Sequence, residues 1–498
     1  MSIHYYVACD LGAESGRVVL GTLQNGRLSL EEIHRFATGA FLINGSLRWN
    51  IPQIFAELKI GLKKAAQRGL AVESLSFNSW GVDYVLIRRG EPMLSLPFHY
   101  RDARTEESYH RVLESVGQEL IFSETGIQFM ALNTLYQFAA HGQAQPELFR
   151  LADKFLHIAD YFAWLFCGRE AVEESLASTS QIYNPRTRSW SDSLIEKLGF
   201  PLHIFPEIVP SGSALGTLRP EIAREIGLSE KVRVLATCSH DTGAAVAAVP
   251  AQGGNWAFLS SGTWSLLGVE IAQPIINDNV LNANFTNEIG FGGRVRFLKN
   301  IVGLWIVQEC RRAWASEGIE YSYDELHDLA RQSQPFRSLI RPDDARFVKP
   351  DEMPRKIQDF CRETQQPVPE TPAQIVRCAL ESLALLYRET LETLQTLTDR
   401  TIETLHIVGG GSQNVLLNQF AADATGVQVL AGPIEATAIG NILLQALTLG
   451  HIRSPEEVRQ TVRTSSELQT FEPQNANEWT TARERFRSLQ TSEISPVL

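Results

Sequence analysis

The chain opens with three apolar runs separated by small or polar residues, a pattern typical of short strands joined by tight turns. We predict strands over Tyr5–Asp10, Val18–Leu23 and Leu28–Phe36. Asn25-Gly26, between the last two runs, is a strong signal for a two-residue hairpin. The sequence therefore predicts an antiparallel meander whose first turn, LGAESGR, is rich in small residues.

A similar opening recurs in the second half of the chain. Trp256–Ser260 and Ser265–Glu270 read as strands around a small-residue turn, SSGTW. The repeat is one of pattern and not of residue identity. It predicts two related domains, each of which begins with a strand, a phosphate-sized turn and a returning strand.

Helical periodicity is clearest at two places. Apolar residues at 51, 54, 58 and 62 predict a helix over 51–68, and SLSFNSWGVDYVLI follows as strand, bend and strand. Thr371-Pro372 has the form of a helix cap followed by proline, and a long amphipathic helix is expected from there. A final amphipathic segment around Trp479–Leu489 predicts a terminal helix packed on the surface.

The domain boundary is predicted near residue 250, where PAQGG is the best linker candidate. We expect an N-terminal domain over 1–250, a C-terminal domain over 251–460 and a helical extension over 461–498. The sequence contains no G-x-x-x-x-G-K-[ST] loop and no G-x-G-x-x-G after a strand, which disfavours the commonest nucleotide-binding folds.

Composition narrows the class of protein. Hydrophobic residues make up 44 % and charged residues 20 % of the chain, and the formal net charge is -12. An acidic surface argues against broad binding of nucleic acid or anionic membranes. No apolar stretch has the length of a membrane helix, and the N-terminus has no signal-peptide pattern, so a cytoplasmic location is expected. Six scattered cysteines without C-x-x-C spacing predict reduced, packed thiols and disfavour a zinc site.

The first segment with candidate chemistry is Asp10–Arg17. Gly12 and Gly16 allow a sharp turn and a close approach to a ligand, and successive N–H groups in such a turn form an anion cradle. Asp10, at the strand end, is a candidate ligand of hydrated Mg²⁺. An ordinary hairpin turn with a capping aspartate is the alternative interpretation.

Two further glycine-bearing turns could bind a nucleotide. Ser260–Ser265 offers hydroxyls and a glycine to a second phosphate. The segment 406–414 runs from a short strand, Leu405–Val408, through Gly409-Gly410-Gly411 to a helix from about Asn414, and it allows a flat ring such as adenine to lie on the backbone. Each could also be a plain packing turn.

The last segment is Ser239–Thr242, where an apolar run ends at His240-Asp241 and a helix is predicted from about Thr242. The start of a helix favours the ionised form of Asp241. Phosphoryl transfer needs an acceptor for the hydroxyl proton, so Asp241 is the candidate catalytic base. A simple helix cap is the alternative. Trp80 and Asp83, in WGVD, place an aromatic face beside a carboxylate, as sugar sites do.

In this order, these segments resemble the FGGY carbohydrate kinases, relatives of hexokinase, actin and the chaperone ATPases. The resemblance runs from about residue 5 to 475. Its specific marks are EIHRF, WGVDYVL, HYRDAR, TGIQFMALNTLYQ, SHDT, SSGTWSL, LKNIVGLWIVQ and HIVGGGSQNVLLNQFAADATG. It implies an α/β fold of two ribonuclease-H-like domains, as in the actin/hexokinase superfamily, with an active-site cleft between them.

The resemblance also implies roles by position. The residues expected to contact ATP are Ala13, Glu14, Ser15, Gly16, Arg17, Thr263, Gln308 and Gly410. The residues expected to contact the sugar, or for Asn300 the sugar or the phosphate, are Gly81, His240, Asp241, Thr242 and Asn300. Glu14 departs from the serine that the resemblance leads us to expect, a change that backbone binding of phosphate tolerates. Cys361 and Cys378 are candidates to meet in space.

The activity that the resemblance implies is transfer of the γ-phosphate of ATP, with Mg²⁺, to the 1-hydroxyl of L-rhamnulose. Two alternatives stay open at this point. Another ketose, L-fuculose or xylulose, could be the substrate of the same kind of kinase. An actin-like or chaperone-like ATPase module would instead hydrolyse ATP without any sugar.

Overall fold

The computed structural model describes residues 3–92 and 96–489, which fall into two compact units. Unit 1 comprises residues 1–250, 270–297 and 435–466. Unit 2 comprises residues 251–269, 298–434 and 467–498. Each unit therefore combines stretches that are distant in sequence.

The elements of the first half of the chain are, in order, β1 (Ile3–Leu11), β2 (Ser15–Gln24), β3 (Arg27–Ala37), β4 (Phe41–Ile43), β5 (Ser46–Arg48), α1 (Ile51–Ala66), β6 (Val72–Ser79), β7 (Tyr84–Arg88), β8 (Glu91–Pro92), α2 (Thr105–Val116), α3 (Gln118–Thr125), α4 (Thr134–Ala144), α5 (Pro146–Leu151), β9 (Lys154–His157), α6 (Ile158–Cys167), β10 (Ala171–Glu173), α7 (Glu174–Thr179), β11 (Tyr183–Asn184), β12 (Ser189–Trp190), α8 (Asp192–Leu198), β13 (Glu207–Val209), β14 (Ser213–Thr217), α9 (Pro220–Ile226), β15 (Arg233–Ala236) and α10 (Asp241–Ala247).

The elements of the second half are β16 (Trp256–Ser261), β17 (Trp264–Ile271), α11 (Asp278–Ala283), β18 (Thr286–Ile289), β19 (Val295–Val302), α12 (Trp305–Ser316), α13 (Tyr323–Gln332), α14 (Met353–Glu363), α15 (Pro372–Thr398), β20 (Thr404–Val408), α16 (Val415–Thr425), β21 (Gln428–Ala431), α17 (Ala436–Thr448), α18 (Pro455–Ser465), β22 (Gln469–Phe471) and α19 (Ala476–Ser488). Short 3₁₀ turns occur at Leu202–Ile204, Phe291–Gly293, Ala345–Phe347 and Gly410–Gln413.

The main sheet of unit 1 has the strand order β14-β15-β6-β1-β2-β3. Strands β1, β2 and β3 form the predicted antiparallel meander, and Asn25 and Gly26 both take the positive φ of a tight hairpin. On its other side β1 runs parallel to β6, which runs parallel to β15, while β14 is antiparallel at the edge. Helix α17 packs against β1 and β6 and against α10.

Unit 2 repeats this arrangement. Strand β16 is antiparallel to β17 on one side and parallel to β20 on the other, β20 is parallel to β21, and β22 is antiparallel at the edge. A central strand with a hairpin partner, two parallel strands and an antiparallel edge strand thus occur in both units. The internal repeat predicted from the pattern is present in the topology, as expected for two ribonuclease-H-like domains.

The predicted helices also form. Asn50 caps α1, with Pro52 in the first turn, and Thr371 caps the 27-residue helix α15 by accepting a hydrogen bond from Gln374 N–H at 3.3 Å. The terminal helix is α19, which buries Trp479, Ala482 and Phe486. No helix of the described ranges is both long enough and apolar enough to cross a membrane.

Candidate active site

One edge of the unit 1 sheet gathers several of the residues predicted from the sequence. Asp10 at the end of β1 lies opposite Asn78 of β6 in the parallel register. The next residue of β6, Ser79, forms a parallel bridge with His240 and donates its backbone N–H to the carbonyl of Ser239 at 2.9 Å. The carboxyl ends of parallel strands meet at one edge of a sheet, and this brings Asp10 and the 239–242 segment to the same place.

Asp10 is held by an ion pair with Arg17, which also pairs with Glu435. Its Oδ2 accepts a hydrogen bond from Arg17 Nη2 at 2.5 Å, and the other terminal nitrogen of Arg17 pairs with Glu435. The Asp10 side chain is 7 % exposed. Among the described residues, Asp10 Oδ1 accepts no side-chain hydrogen bond, so one carboxylate oxygen remains for another ligand.

The first turn is shaped by close packing. Gly12 N–H donates to the carbonyl of Ser15 at 3.0 Å, which closes the turn between β1 and β2. A Cβ at Gly16 would lie 2.4 Å from the Phe36 ring, so this glycine is required by packing in the sheet. Ala13 is half-buried and Glu14 is exposed. The prediction that this turn contacts ATP phosphates remains a prediction.

Asp241 is the first residue of α10, and its side chain is 28 % exposed. Its Oδ1 accepts the Thr242 backbone N–H at 2.6 Å and the Thr242 hydroxyl at 3.2 Å, and His240 Nε2 lies 3.4 Å away. Burial raises the pKa of Asp241 above its usual range, and the nearby Asp10 carboxylate adds to the rise. The opposing effects of His240 and Thr242 are smaller in sum.

The side chains of Trp80 and Asp83, in the WGVD segment after β6, are buried and not exposed on a surface. Asp83 has no exposed surface, and its carboxylate accepts hydrogen bonds from the indole N–H groups of Trp49 at 2.6 Å and Trp80 at 3.0 Å. Trp80 is 6 % exposed and stacks on Trp49 with ring centroids 4.0 Å apart. A Cβ at Gly81 would lie 2.9 Å from Thr179 Oγ1. Asp83 therefore orients Trp80, and Thr179 packs against the backbone at Gly81.

In unit 2 the structure brings two of the predicted nucleotide segments together. Strands β16 and β20 are parallel neighbours, with Ser260 opposite Val408, so the SSGTW turn and the triple glycine leave the sheet side by side. A Cβ at Gly411 would lie 2.0 Å from Ser261 Oγ, whereas a Cβ at Gly410 would meet no atom within 4 Å. Gly411 is thus needed for packing, and Gly410 leaves open space.

The turn between β16 and β17 also anchors the start of α12. The carbonyl of Thr263 accepts hydrogen bonds from the N–H groups of Gly303 at 3.1 Å and Trp305 at 3.2 Å. Gln308 lies one turn along α12, and its buried Oε1 has no hydrogen-bond partner among the described residues. Asn300 lies nearby in sequence on β19 and is half-buried.

The residues present fit both groups that a kinase needs. The open space at Gly410 and the unpartnered oxygen of Gln308 suit an adenine nucleotide in unit 2. The remaining oxygen of Asp10 suits Mg²⁺, which takes one or two carboxylates and keeps several waters. The prediction that both turns bind one nucleotide remains a prediction.

Sequence reasoning missed the residues that hold this site in place. Glu173 accepts the Ser239 N–H at 2.9 Å, Glu435 pairs with Arg17, and Glu288 and Arg296 lie against His240. A signal was present for Arg296, which stands between the apolar residues Val295 and Phe297 in a strand segment. Charged groups in such positions are rarely buried unless they are paired.

The described cysteines are free thiols. Cys361 of α14 and Cys378 of α15 do meet in space, because the Cys361 thiol lies within hydrogen-bonding reach of Cys378 and raises the pKa of that thiol.

The chain is similar to known proteins in both sequence and structure. The profile of the N-terminal domain of the FGGY family of carbohydrate kinases matches residues 5–248. The profile of the C-terminal domain of the same family matches residues 257–449.

Among curated relatives, a protein named rhamnulokinase from Bacteroides thetaiotaomicron is 42 % identical over 97 % of this chain and 99 % of its own length. A protein of the same name from Oceanobacillus iheyensis is 40 % identical over 93 % of this chain and 97 % of its own. Both matches therefore span nearly whole proteins.

Among solved structures, ligand-bound xylulose kinase from Lactobacillus acidophilus has a TM-score of 0.80 at 15 % identity, covering 97 % of this chain and 96 % of that one. Plasmodium falciparum glycerol kinase with ADP has a TM-score of 0.76 at 15 % identity, covering 97 % and 98 %. At this identity the likeness establishes the fold alone.

Proposed function

Because this chain belongs to the FGGY family of carbohydrate kinases, we propose that it transfers the γ-phosphate of ATP to the 1-hydroxyl of L-rhamnulose. The products are L-rhamnulose 1-phosphate and ADP. The choice of sugar is supported by the two nearly full-length relatives named rhamnulokinase. We place this activity in the cytoplasm, and we retain 1–250, 251–460 and 461–498 as the proposed domains.

The observation that carries the proposal is the state of the Asp241 carboxylate. Its Oδ1 is held by Thr242, whereas among the described residues no side chain donates to Oδ2. Its raised pKa also makes it a better proton acceptor than an ordinary aspartate. We propose that Oδ2 takes the proton of the sugar hydroxyl while the oxygen attacks phosphorus.

The other roles are proposed from the positions of the residues in the segments that resemble the family. The residues proposed to contact ATP are Ala13, Glu14, Ser15, Gly16, Arg17, Thr263, Gln308 and Gly410. The residues proposed to contact or shape the sugar site are Trp80, Gly81, Asp83, His240, Thr242 and Asn300. Asp10 is proposed to hold Mg²⁺, which when bound neutralises charge on the phosphates.

The base assignment is tested with Asp241→Asn. A general base contributes roughly 10²–10⁴-fold to the rate, so kcat should fall by about that factor while the affinity for ATP stays near wild type. Asp278→Asn is the matched control, because Asp278 is also the first residue of a helix but is exposed. ADP release measures kcat, and wild-type turnover by Asp241→Asn would refute the assignment.

The sugar is tested separately by the wild-type protein. ADP release is measured with ATP, Mg²⁺ and L-rhamnulose, and in parallel with L-fuculose and D-xylulose. We expect the highest kcat/KM with L-rhamnulose. A higher kcat/KM with either other ketose would replace the proposed substrate but leave the role of Asp241 unchanged. ADP release at the same rate with and without sugar would refute the kinase activity itself.

A further inference from the structure

Arg296 is a charged side chain with no exposed surface, seated directly behind His240. Its Nε donates to the carbonyl of Ile289 at 3.3 Å, and its Nη2 donates to the same carbonyl at 3.1 Å and lies 3.0 Å from His240 Nδ1. Its Nη1 faces the Glu288 carboxylate at 3.2 Å. Nε and Nη2 of the guanidinium therefore have hydrogen-bond acceptors, whereas Nη1 forms an ion pair with Glu288 that lacks hydrogen-bond geometry.

The contact between Arg296 and His240 constrains the imidazole. A guanidinium has only donors and stays charged, so the ring nitrogen facing it must accept. Glu288 lies farther from that nitrogen, at 3.5 Å, than Arg296 does at 3.0 Å. In the neutral ring with an accepting Nδ1, the proton is on Nε2, the atom that faces Asp241 Oδ1 at 3.4 Å.

The backbone of the same segment is fixed independently of the imidazole. Ser239 N–H donates to Glu173 Oε2 at 2.9 Å, and His240 N–H donates to Ser175 Oγ at 3.0 Å. Glu173 has no exposed surface, and its second oxygen accepts from Ser211 Oγ. The position of His240 is thus set by Glu173 and Ser175, while Arg296 sets which ring nitrogen carries the proton.

We propose that Arg296 is a positioning residue that acts through His240: it holds the imidazole with its proton on Nε2, toward Oδ1 of Asp241. The two oxygens of the base then have different tasks. Oδ1 is surrounded by the donors of Thr242 and the imidazole N–H, and Oδ2 is left to accept the proton of the substrate. This inference rests on the proposed role of Asp241 as base.

A purely structural role is the competing explanation, because Arg296 and Glu288 also form a buried ion pair. Replacing one member of such a pair generally destabilises a protein whether or not it affects chemistry. The two explanations differ in what happens at His240. Only the proposed role requires one particular tautomer of this ring and an effect on turnover that disappears when the imidazole is absent.

The first test measures the tautomer in the wild-type protein and needs one variant only to assign the signal. The protein is labelled with ¹⁵N in its 11 histidines, and the long-range ¹H–¹⁵N correlation pattern identifies the tautomer of each ring. The spectrum of His240→Asn identifies the signal that belongs to His240. We expect protonated Nε2 and bare Nδ1 at neutral pH. A proton on Nδ1, alone or together with Nε2, overturns the proposal.

The second test is a double-mutant cycle of Arg296→Met and His240→Asn, with kcat and the KM for ATP measured at saturating sugar. Losing a hydrogen bond in a charged network lowers kcat by about 10-fold or more, so Arg296→Met should do so in the wild-type background with KM for ATP unchanged. In the His240→Asn background it should have no further effect. An equal loss of kcat in both backgrounds overturns the proposal.

Two additional variants separate folding from positioning. Arg296→Lys keeps the charge and one donor, and it should recover part of the kcat that Arg296→Met loses. Arg377→Met removes another largely buried arginine, which pairs with Glu381 in α15 of unit 2, and should leave kcat unchanged. If Asp241→Asn keeps wild-type turnover, the assignment of Asp241 as the base fails, whereas the tautomer of His240 is measured independently of that assignment.

Discussion

Helix α17 packs closely against α10, the helix that begins at the candidate base. Helix α17 crosses α10 at Gly440, where a Cβ would lie 1.9 Å from the carbonyl oxygen and 2.6 Å from the carbonyl carbon of Ala244. Both atoms are backbone, so no side-chain rotation can relieve the overlap. Gly440→Ala therefore forces the two helices apart, and α10 carries Asp241 at its first position.

Two opposing free-energy contributions determine how much Gly440→Ala changes the stability of the protein. Replacing glycine by alanine inside a helix stabilises it by up to about 1 kcal/mol. Overpacking a close contact costs about 1–3 kcal/mol, and a backbone overlap belongs at the upper end of that range. We expect Gly440→Ala to lose about 1–2 kcal/mol of the free energy of unfolding. A misplacement of about 1 Å at a reacting group can also lower kcat by about 10²-fold.

Gly142→Ala is the matched control. Gly142 also lies inside a helix of unit 1, α4, but a Cβ there would meet nothing within 4 Å. Only the gain in helix propensity remains, so this variant should be as stable as wild type or more stable. Urea unfolding followed by circular dichroism compares the two variants, and ADP release measures kcat. Equal stability of both variants would refute the packing argument, and a destabilised Gly440→Ala with unchanged kcat would refute the link to Asp241.

Two other predictions follow from buried groups and from the triple glycine. Burial raises the pKa of Asp83 to about 6, so the folded state keeps a proton that the unfolded state has released above about pH 4. The free energy of unfolding should therefore fall as the pH rises from about 4 to about 6. Asp83→Asn should remove this pH dependence, which urea unfolding at several pH values measures. A pH dependence that persists in the variant would contradict the prediction. Gly410→Ala should raise the KM for ATP without changing stability, because a Cβ there meets no atom of the protein. Gly411→Ala should lower the urea midpoint, because its Cβ would overlap Ser261. An unchanged KM for ATP in Gly410→Ala would show that the nucleotide lies elsewhere.

Much of the local structure could be predicted from the sequence. The meander with its Asn25-Gly26 hairpin, the cap at Thr371 and the helix that starts beside Asp241 all depend on neighbouring residues, and their patterns were visible in the chain. The repeat of the strand arrangement in units 1 and 2 was visible for the same reason. Hydrophobic periodicity and turn chemistry act over a few residues, so a linear sequence contains them completely.

The partners of the candidate site could not be found in this way. Arg17 pairs with Glu435, 418 positions away, and His240 contacts Arg296, 56 positions away. Gly440 and Gly411 were not distinguishable from turn or ligand glycines until the structure placed Ala244 and Ser261 against them.

The sequence alone thus determined which segments carry strands, turns and acidic groups, because these depend on local spacing. Only the tertiary structure decided which oxygen of Asp241 is occupied, which glycines are needed for packing and which buried arginine faces the imidazole. Those facts depend on strand register and helix crossing, and side chains from distant parts of the chain meet only after both are fixed.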